Sequence, residues 1–224
     1  MPIKDWPASE RPRERLLAQG ATALSDAELL ALLLGTGTAG RSALDNARAA
    51  LQQLGSVRAL LTAPADQISA LPGWGAASYA RLQAVWELGK RMLLEDAQRV
   101  HAMGSPQSVR SYLCMALAQP GHEIFAVLFL DAQHRLIACE EMFRGTLTQT
   151  SVYPREVVKQ ALRHNCAAVI LAHNHPSGVA EPSRADEALT RALQNALALV
   201  DVRVLDHIVV AGARSVSFAE RGLL

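Results

Sequence analysis

This chain of 224 residues has few cysteines, almost no net charge and no long apolar run. The three cysteines, Cys114, Cys139 and Cys166, are widely spaced, odd in number and flanked by apolar residues. They predict reduced thiols in a core, not a disulfide framework or a C-x-x-C metal site. The formal net charge is +1, without an acidic or basic tail. Charge alone therefore does not indicate strong non-specific attraction to nucleic acid.

Membrane insertion and secretion are not expected either. Apolar runs such as residues 29–34 and 124–130 are far too short to span a bilayer. Residues 1–6 lack the apolar region of a signal peptide. We therefore expect a cytoplasmic protein without a membrane partner. Half of the residues are apolar, which is ample for a buried core, and the length fits one large or two small domains.

Helical patterns fill the first half of the sequence. Apolar residues recur at helical spacing. Ser25 and Ser42 are expected to begin two helices, which end before Gly35 and Gly55. No convincing strand precedes residue 123. A polar helix end and a linker at residues 100–104 then place a domain boundary near residue 102. The sequence thus predicts a small all-α domain at residues 1–101 and a second domain at residues 102–224.

One turn in the helical half resembles a helix-hairpin-helix element. It reads Leu71-Pro72-Gly73-Trp74-Gly75 and lies between two predicted helices. Backbone N–H groups exposed at Gly73 and Gly75 would bind a DNA phosphate at the start of the next helix. A glycine-containing turn is also an ordinary way to pack a helical hairpin, and acidic and basic residues nearly balance in this half. Both interpretations stay open.

The second half alternates strands and helices, which predicts an α/β (α+β) domain with a mixed sheet. Residues 123–131 form a nearly continuous apolar run, as in a strand covered on both faces. Further strands are predicted at residues 135–143, 167–173, 202–210 and 215–218. Helices are predicted at residues 105–117, 153–164 and 183–199.

Histidines and a carboxylate with metal-ligand character follow the predicted strand at residues 167–173. His173 and His175 are two residues apart, which places both side chains on one side of an extended chain. Ser183 is expected at the N-cap of the next helix, with Asp186 one turn inside. Each feature alone has an ordinary structural explanation, including a capping box for Ser183 and Asp186. Together, two imidazoles and one carboxylate are the ligand set of a catalytic zinc site.

The pattern H-N-H-P-S-G followed by P-S-x-A-D resembles the JAMM motif of the MPN-domain metalloproteases, and the whole chain resembles the bacterial RadC family. The resemblance implies an MPN-type domain with one zinc ion per chain, held by His173, His175 and Asp186. It also implies that Ser183 positions or stabilises the reacting oxygen. In that superfamily a Glu at the start of an earlier strand is the general base.

Three carboxylates compete for the role of general base. Glu123 opens the apolar strand and is favoured, although the family pattern often has Gly where this chain has Ala126. Glu140 and Glu141 lie on the following predicted strand, where neighbouring side chains point to opposite faces. Asp206 and His207 are a further candidate pair. Either they hydrogen-bond a zinc-ligating imidazole, or they form an ordinary pair at a strand end.

The sequence therefore predicts a zinc-dependent metallopeptidase of the JAMM type, acting on a peptide or protein substrate whose identity the sequence does not give. The alternative is a DNA-associated protein, active in DNA binding or repair, that uses the helix-hairpin-helix element. A metal-free interaction module is a third hypothesis. A zinc deaminase is excluded, because neither H-x-E nor a later P-C-x-x-C occurs.

Overall fold

The computed structural model describes residues 3–99, 106–118, 121–145 and 152–224. The chain divides into two compact units, Met1–Leu88 and Gly89–Leu224. The predicted boundary between residues 101 and 102 lies outside the described residues, so it stays a prediction.

The first unit is helical, as predicted. Its helices are α1 (Pro12–Gln19), α2 (Asp26–Leu34), α3 (Ala43–Leu54), α4 (Val57–Thr62), α5 (Ala65–Ser69) and the start of α6 (Ala76–Arg99). Within residues 3–88 the sole β pairing is an isolated bridge between Thr38 and Arg41. Capping boxes start α2 and α3, because the Ser25 and Ser42 hydroxyls accept from the backbone N–H three residues on. The predicted caps are confirmed.

Leucines, alanines and one tryptophan form the core of this unit. Leu60 and Ile68 are fully buried, and Leu82 and Trp74 nearly so. The Trp74 indole N–H donates to the backbone carbonyl of Asn46 at 3.3 Å, which satisfies the one polar atom of a buried ring. The apolar residues at helical spacing in this unit therefore form its core, as predicted.

The second unit combines helices with one sheet. Its elements, after the end of α6, are α7 (Pro106–Ala116), β1 (Ile124–Leu130), β2 (Leu136–Arg144), α8 (Pro154–Arg163), β3 (Ala168–Asn174), α9 (Arg184–Ala198), β4 (Arg203–Ala211), β5 (Arg214–Ser217) and α10 (Phe218–Arg221). The strand order is β2-β1-β3-β4-β5. Strand β3 pairs with β4 in parallel, and the other three pairings are antiparallel. The predicted mixed sheet is confirmed.

Both faces of the central strands are covered, which explains their continuous apolar sequences. One face carries Ile124 and Leu128 of β1 and packs in a cluster with Leu113 of α7. The other carries Phe125 and Val127 and packs in a cluster with residues of α8 and α9, including Val157, Ala161, Leu193 and Leu197. The same alternation places β3 residues Val169 and Leu171 on this second face. His173, two residues further, follows the same alternation.

Strand β4 runs unbroken through the polar pair Asp206 and His207. In the described parts of the chain, no helix is long and apolar enough to cross a membrane.

Candidate metal centre

The end of β3 and the start of α9 meet at one point of the second unit. His173 lies on β3 and is almost fully buried, with 1% of its surface exposed. His175 follows the strand, and its backbone N–H donates to the Val210 carbonyl of β4 at 2.7 Å. This bond extends the ladder past Asn174 and keeps both imidazoles on one side of the chain.

Three donor groups converge there. The Nε2 atoms of His173 and His175 lie 2.9 Å apart. Asp186 Oδ1 lies 3.4 Å from Nε2 of His173, and Asp186 Oδ2 lies 3.6 Å from Nε2 of His175. One ligand atom from each residue falls within 4.8 Å of the others, so the three could hold a metal ion. The structure brings together the three residues that the sequence predicted as ligands.

The hydrogen bonds around the cluster fit a cation. Nδ1 of His175 lies 2.8 Å from the Val179 carbonyl, which can only accept, so this ring donates through Nδ1. Its neutral form then carries a lone pair on Nε2, directed at His173. Two imidazole nitrogens 2.9 Å apart beside a carboxylate are spaced to share a proton or to hold a metal ion together with that carboxylate. Two histidines and an aspartate are a donor set that suits zinc.

Charges within the cluster are strongly coupled. Burial alone would raise the pKa of Asp186, but its polar contacts with the imidazoles of His173 and His175 outweigh burial and hold that pKa far below its ordinary value. The hydrogen bond with Asp186 raises the pKa of His175, and the charge of Glu123 adds to this effect. Asp186 is therefore ionised across the physiological pH range and available as a ligand.

Ser183 caps helix α9 in the predicted position. Its hydroxyl donates to Asp186 Oδ2 at 2.7 Å and accepts from the Asp186 backbone N–H at 3.2 Å. Its own backbone N–H also donates to Oδ2, at 2.7 Å. The capping box thus orients the carboxylate of Asp186, with Oδ2 turned toward the cap. The predicted cap is confirmed, and the role of Ser183 in a reaction stays a prediction.

The loop between β3 and α9 is fixed from outside. Arg214 of β5 donates to the Gly178 carbonyl at 2.7 Å. Arg221 of α10 forms a two-point ion pair with Glu181, at 2.8 Å for one of its contacts. The chain segment that connects His175 and Asp186 is therefore anchored by β5 and α10.

Of the three candidate bases, Glu123 lies nearest the cluster along the sheet. Phe125 pairs with His173 in the antiparallel ladder, so continuing the register by two residues places Glu123 opposite His175. Its effect on the pKa of His175 agrees with this position. Glu140 lies opposite Val127, further from the strand end, and its carboxylate contacts His164 Nε2 at 2.8 Å.

Glu141 lies opposite Ala126, a residue of the other face of the sheet, and forms an ion pair with Arg144 at 2.6 Å. Side chains that alternate along a strand keep it away from the face that carries His173. Of the three carboxylates, only Glu123 lies at the strand end opposite His175, and its role as a base stays a prediction.

Asn174, between the two histidines, has a role that the sequence did not reveal. Its side chain is buried and points away from the cluster. Oδ1 accepts from the Ile124 backbone N–H at 2.7 Å, and Nδ2 donates to the His122 carbonyl at 3.1 Å. These two backbone groups flank Glu123 on either side. Asn174 therefore ties the segment that carries Glu123 to the strand that carries the histidines.

His207 contacts the cluster, whereas its neighbour Asp206 serves the fold. Nε2 of His207 lies 2.8 Å from Nδ1 of His173. The other ring nitrogen, Nδ1, lies 2.7 Å from the hydroxyl of Thr190, a residue absent from the sequence-based candidates. Burial, with the charges of His173 and His175, holds the pKa of His207 well below its ordinary value.

Asp206 accepts hydrogen bonds from the backbone of His207 and Ala219 and from the Ser217 hydroxyl. It therefore joins β4 to the start of α10. Only His207 of the predicted pair contacts an imidazole of the cluster.

The turn at Gly73 and Gly75 lies between α5 and α6, in the first unit. Gly73 has φ of +82°, and a Cβ there would lie 2.3 Å from the Asn46 side chain. This glycine is therefore required by the backbone and by packing. The nearby Arg81 guanidinium donates to the Leu33 and Leu34 carbonyls at the end of α2. DNA binding by this turn stays a prediction.

Comparison with known proteins assigns the chain to a family. Residues 103–223 match the RadC-like JAB domain, and residues 3–80 match the UPF0758 N-terminal domain. UPF0758 proteins of Nitrosomonas eutropha, Thioalkalivibrio sulfidiphilus and Aromatoleum aromaticum are 60%, 61% and 61% identical to it, each over the full length of both chains. The resemblance to the RadC family is confirmed, and RadC-like JAB domains are related to metallohydrolases. The chain therefore belongs to the UPF0758 family, with a UPF0758 N-terminal domain followed by a RadC-like JAB domain.

Proposed function

We propose that the second unit is a zinc-dependent hydrolase that cleaves an amide bond of a peptide or protein, at a peptide or isopeptide linkage. One observation carries the proposal. The Nε2 atoms of His173 and His175 converge with the Asp186 carboxylate, while the Nδ1 atoms of both rings are held by other partners. The relation of the JAB domain to metallohydrolases supports it.

His173, His175 and Asp186 would hold one zinc ion per chain. When bound, zinc supplies a Lewis acid and lowers the pKa of a coordinated water toward about 7. The remaining steps belong to side chains of this protein.

Glu123 is the proposed general base. Its carboxylate takes a proton from the attacking water and delivers it to the amine nitrogen when the carbon–nitrogen bond breaks. The products are a carboxylic acid and an amine, and the carboxylate of Glu123 is regenerated. The Asn174 bridge holds the backbone on both sides of Glu123, which fixes the starting point of this side chain.

Ser183 is the proposed donor to the substrate carbonyl oxygen. As described above, its hydroxyl proton bonds to Asp186 Oδ2 at 2.7 Å. Donation to substrate requires this bond to break, while the backbone N–H of Ser183 remains on Oδ2 and keeps the carboxylate in place. The two roles of Ser183 therefore follow one another during the reaction.

Metal analysis tests the site. Purified full-length protein, loaded with zinc and freed of excess metal, is expected to hold about one zinc ion per chain. His173→Ala and Asp186→Ala should lose it, because each removes a ligand. His164→Ala is the matched control, since His164 bonds Glu140 away from the cluster. Wild-type protein without zinc, or a His164→Ala variant as depleted as His173→Ala, would contradict the proposal.

Cleavage of a complex peptide mixture tests the chemistry. Mass spectrometry should detect new peptide termini with zinc-loaded protein and none after chelation. Glu123→Gln should keep zinc but lose about 100-fold or more of the rate, as expected when a general base is removed. Glu140→Gln is the control and should stay active. Full activity of Glu123→Gln would rule out the assigned base.

We also propose that the protein works in the cytoplasm. The three cysteines are free in the structure, and free thiols persist in a reducing compartment.

A further inference from the structure

Behind His173 runs a buried line of hydrogen bonds that crosses from β3 to β4 to α9. His173 Nδ1 lies 2.8 Å from His207 Nε2, and His207 Nδ1 lies 2.7 Å from Thr190 Oγ1. Thr190 Oγ1 lies 2.6 Å from the Asp186 carbonyl oxygen. His173 is 1% exposed, and His207 and Thr190 are fully buried. Water does not reach these atoms, so each of the three contacts must be a hydrogen bond whose proton comes from one of these side chains.

The direction of every bond follows from its last link. A carbonyl oxygen can only accept, so the Thr190 hydroxyl donates its single proton to Asp186. The Thr190 oxygen then accepts from His207, which places the His207 proton on Nδ1. A neutral imidazole protonated at Nδ1 has its lone pair on Nε2, the atom that faces His173.

Neutrality of His207 follows from its surroundings. The ring stacks on Phe218 at 4.7 Å between centroids and meets the edge of Phe125 at 5.7 Å. A charged imidazolium there would be costly, because neither ring nitrogen contacts a carboxylate. The neutral His207 accepts the Nδ1 proton of His173, so the lone pair of neutral His173 stands on Nε2. That atom is the one that faces His175 and Asp186.

We propose that Thr190 and His207 are positioning residues that fix the tautomer of His173, with Nδ1 protonated and Nε2 free to bind a metal ion. The role rests on the proposed metal site. Helix α9 thus contributes twice, since Asp186 is a ligand and its own carbonyl sets the proton order that ends at a second ligand. The partner of His173 is a neutral imidazole, where metal-bound histidines often have a carboxylate or carbonyl.

Nuclear magnetic resonance of the metal-free, full-length protein tests this directly. Long-range proton–nitrogen correlation of ¹⁵N-labelled histidine rings at pH 8 distinguishes the two tautomers. In the wild type we expect both His173 and His207 to carry a proton on Nδ1. A proton on Nε2 of His207, or an Nδ1 of His173 without a proton, would overturn the inference. The variants His173→Ala and His207→Gln serve only to assign the signals.

Variants of Thr190 add a second readout. Thr190→Val keeps the shape but removes the acceptor for His207 Nδ1, so His173 should lose its single tautomer. Zinc affinity, measured by competition with a chelator, should fall about 10- to 100-fold, the usual effect of removing a group that orients a metal ligand. Thr190→Ser retains a hydroxyl and should restore both properties. Unchanged tautomers and zinc affinity in Thr190→Val would overturn the inference.

The two proposals fail separately. Protons on Nδ1 of both rings in a protein that never binds zinc would support the proton order and defeat the hydrolase. Zinc binding with a proton on Nε2 of His207 would defeat the proton order and support the metal site.

Discussion

Replacing Asn174 with alanine tests the bridge between the histidine strand and the segment of Glu123. The substitution leaves two backbone groups without their partner, the buried Ile124 N–H and the partly buried His122 carbonyl. Each buried polar group left unpaired costs about 1–3 kcal/mol. The two neighbouring groups relax together, so their costs do not simply add. We expect the second unit to lose about 2–4 kcal/mol of unfolding free energy.

Chemical denaturation of metal-free protein is the assay, because bound metal would add its own stabilisation. All three tryptophans, Trp6, Trp74 and Trp86, lie in the first unit, so their fluorescence should change little. Circular dichroism and amide hydrogen exchange report the sheet. Exchange at Ile124 should accelerate most, because its N–H loses its acceptor.

Asn195→Ala is the matched control. Asn195 is exposed on α9, and its replacement should change stability by about 0.5 kcal/mol or less. If Asn174→Ala costs no more than this control, or if Ile124 stays protected, the bridge does not hold the segment of Glu123 and the reasoning fails.

Two further predictions concern other parts of the chain. Gly73→Ala should destabilise the first unit by about 1–3 kcal/mol through its positive φ, with an added clash against Asn46. Tryptophan fluorescence measures this, and equal loss in Gly75→Ala, where a Cβ meets nothing within 4 Å, would contradict it. Burial raises the pKa of Cys139 to about 11. At pH 8 about one molecule in a thousand then has Cys139 as a thiolate. Titration with a thiol reagent should therefore count as many fast-reacting thiols in Cys139→Ser as in the wild type. One fewer fast-reacting thiol in the variant would show that Cys139 is not buried.

Much of the fold follows from local patterns. Ser25, Ser42 and Ser183 each mark a helix start because a short polar side chain satisfies N–H groups that the helix leaves unpaired. The apolar run of β1 predicts a strand covered on both faces, because a half-exposed strand would alternate. The ligand spacing follows equally from local geometry, since residues two apart in an extended chain share a side.

The support of the site depends on contacts between distant residues, which local patterns do not contain. Glu123 faces His175 only because β1 pairs with β3 in a particular register. His207 reaches His173 across 34 residues because β3 and β4 run parallel. One signal for Thr190 was present in the sequence. It lies four residues after Asp186 on α9, in line with Leu193 and Leu197, as a polar residue on an apolar stripe.

The neighbouring residues Asp206 and His207 show why a sequence pair can be misread. A carboxylate beside a histidine near a proposed metal site suggests a partner for that site. Successive residues on a strand point to opposite faces, however, so Asp206 turns to Ser217 while His207 turns to the cluster. Alternation within β4 therefore assigns the two residues to different tasks.

The order of the site along the chain has a consequence for synthesis on the ribosome. The three proposed ligands fall within residues 173–186, but the imidazole that contacts His173 arrives with β4, and the arginines that hold the connecting loop arrive later still. A nascent chain therefore displays its ligands before it can hold them in place. If the cluster holds zinc as proposed, firm capture should wait until β4, β5 and α10 have folded against it, which makes metal uptake a late step of folding.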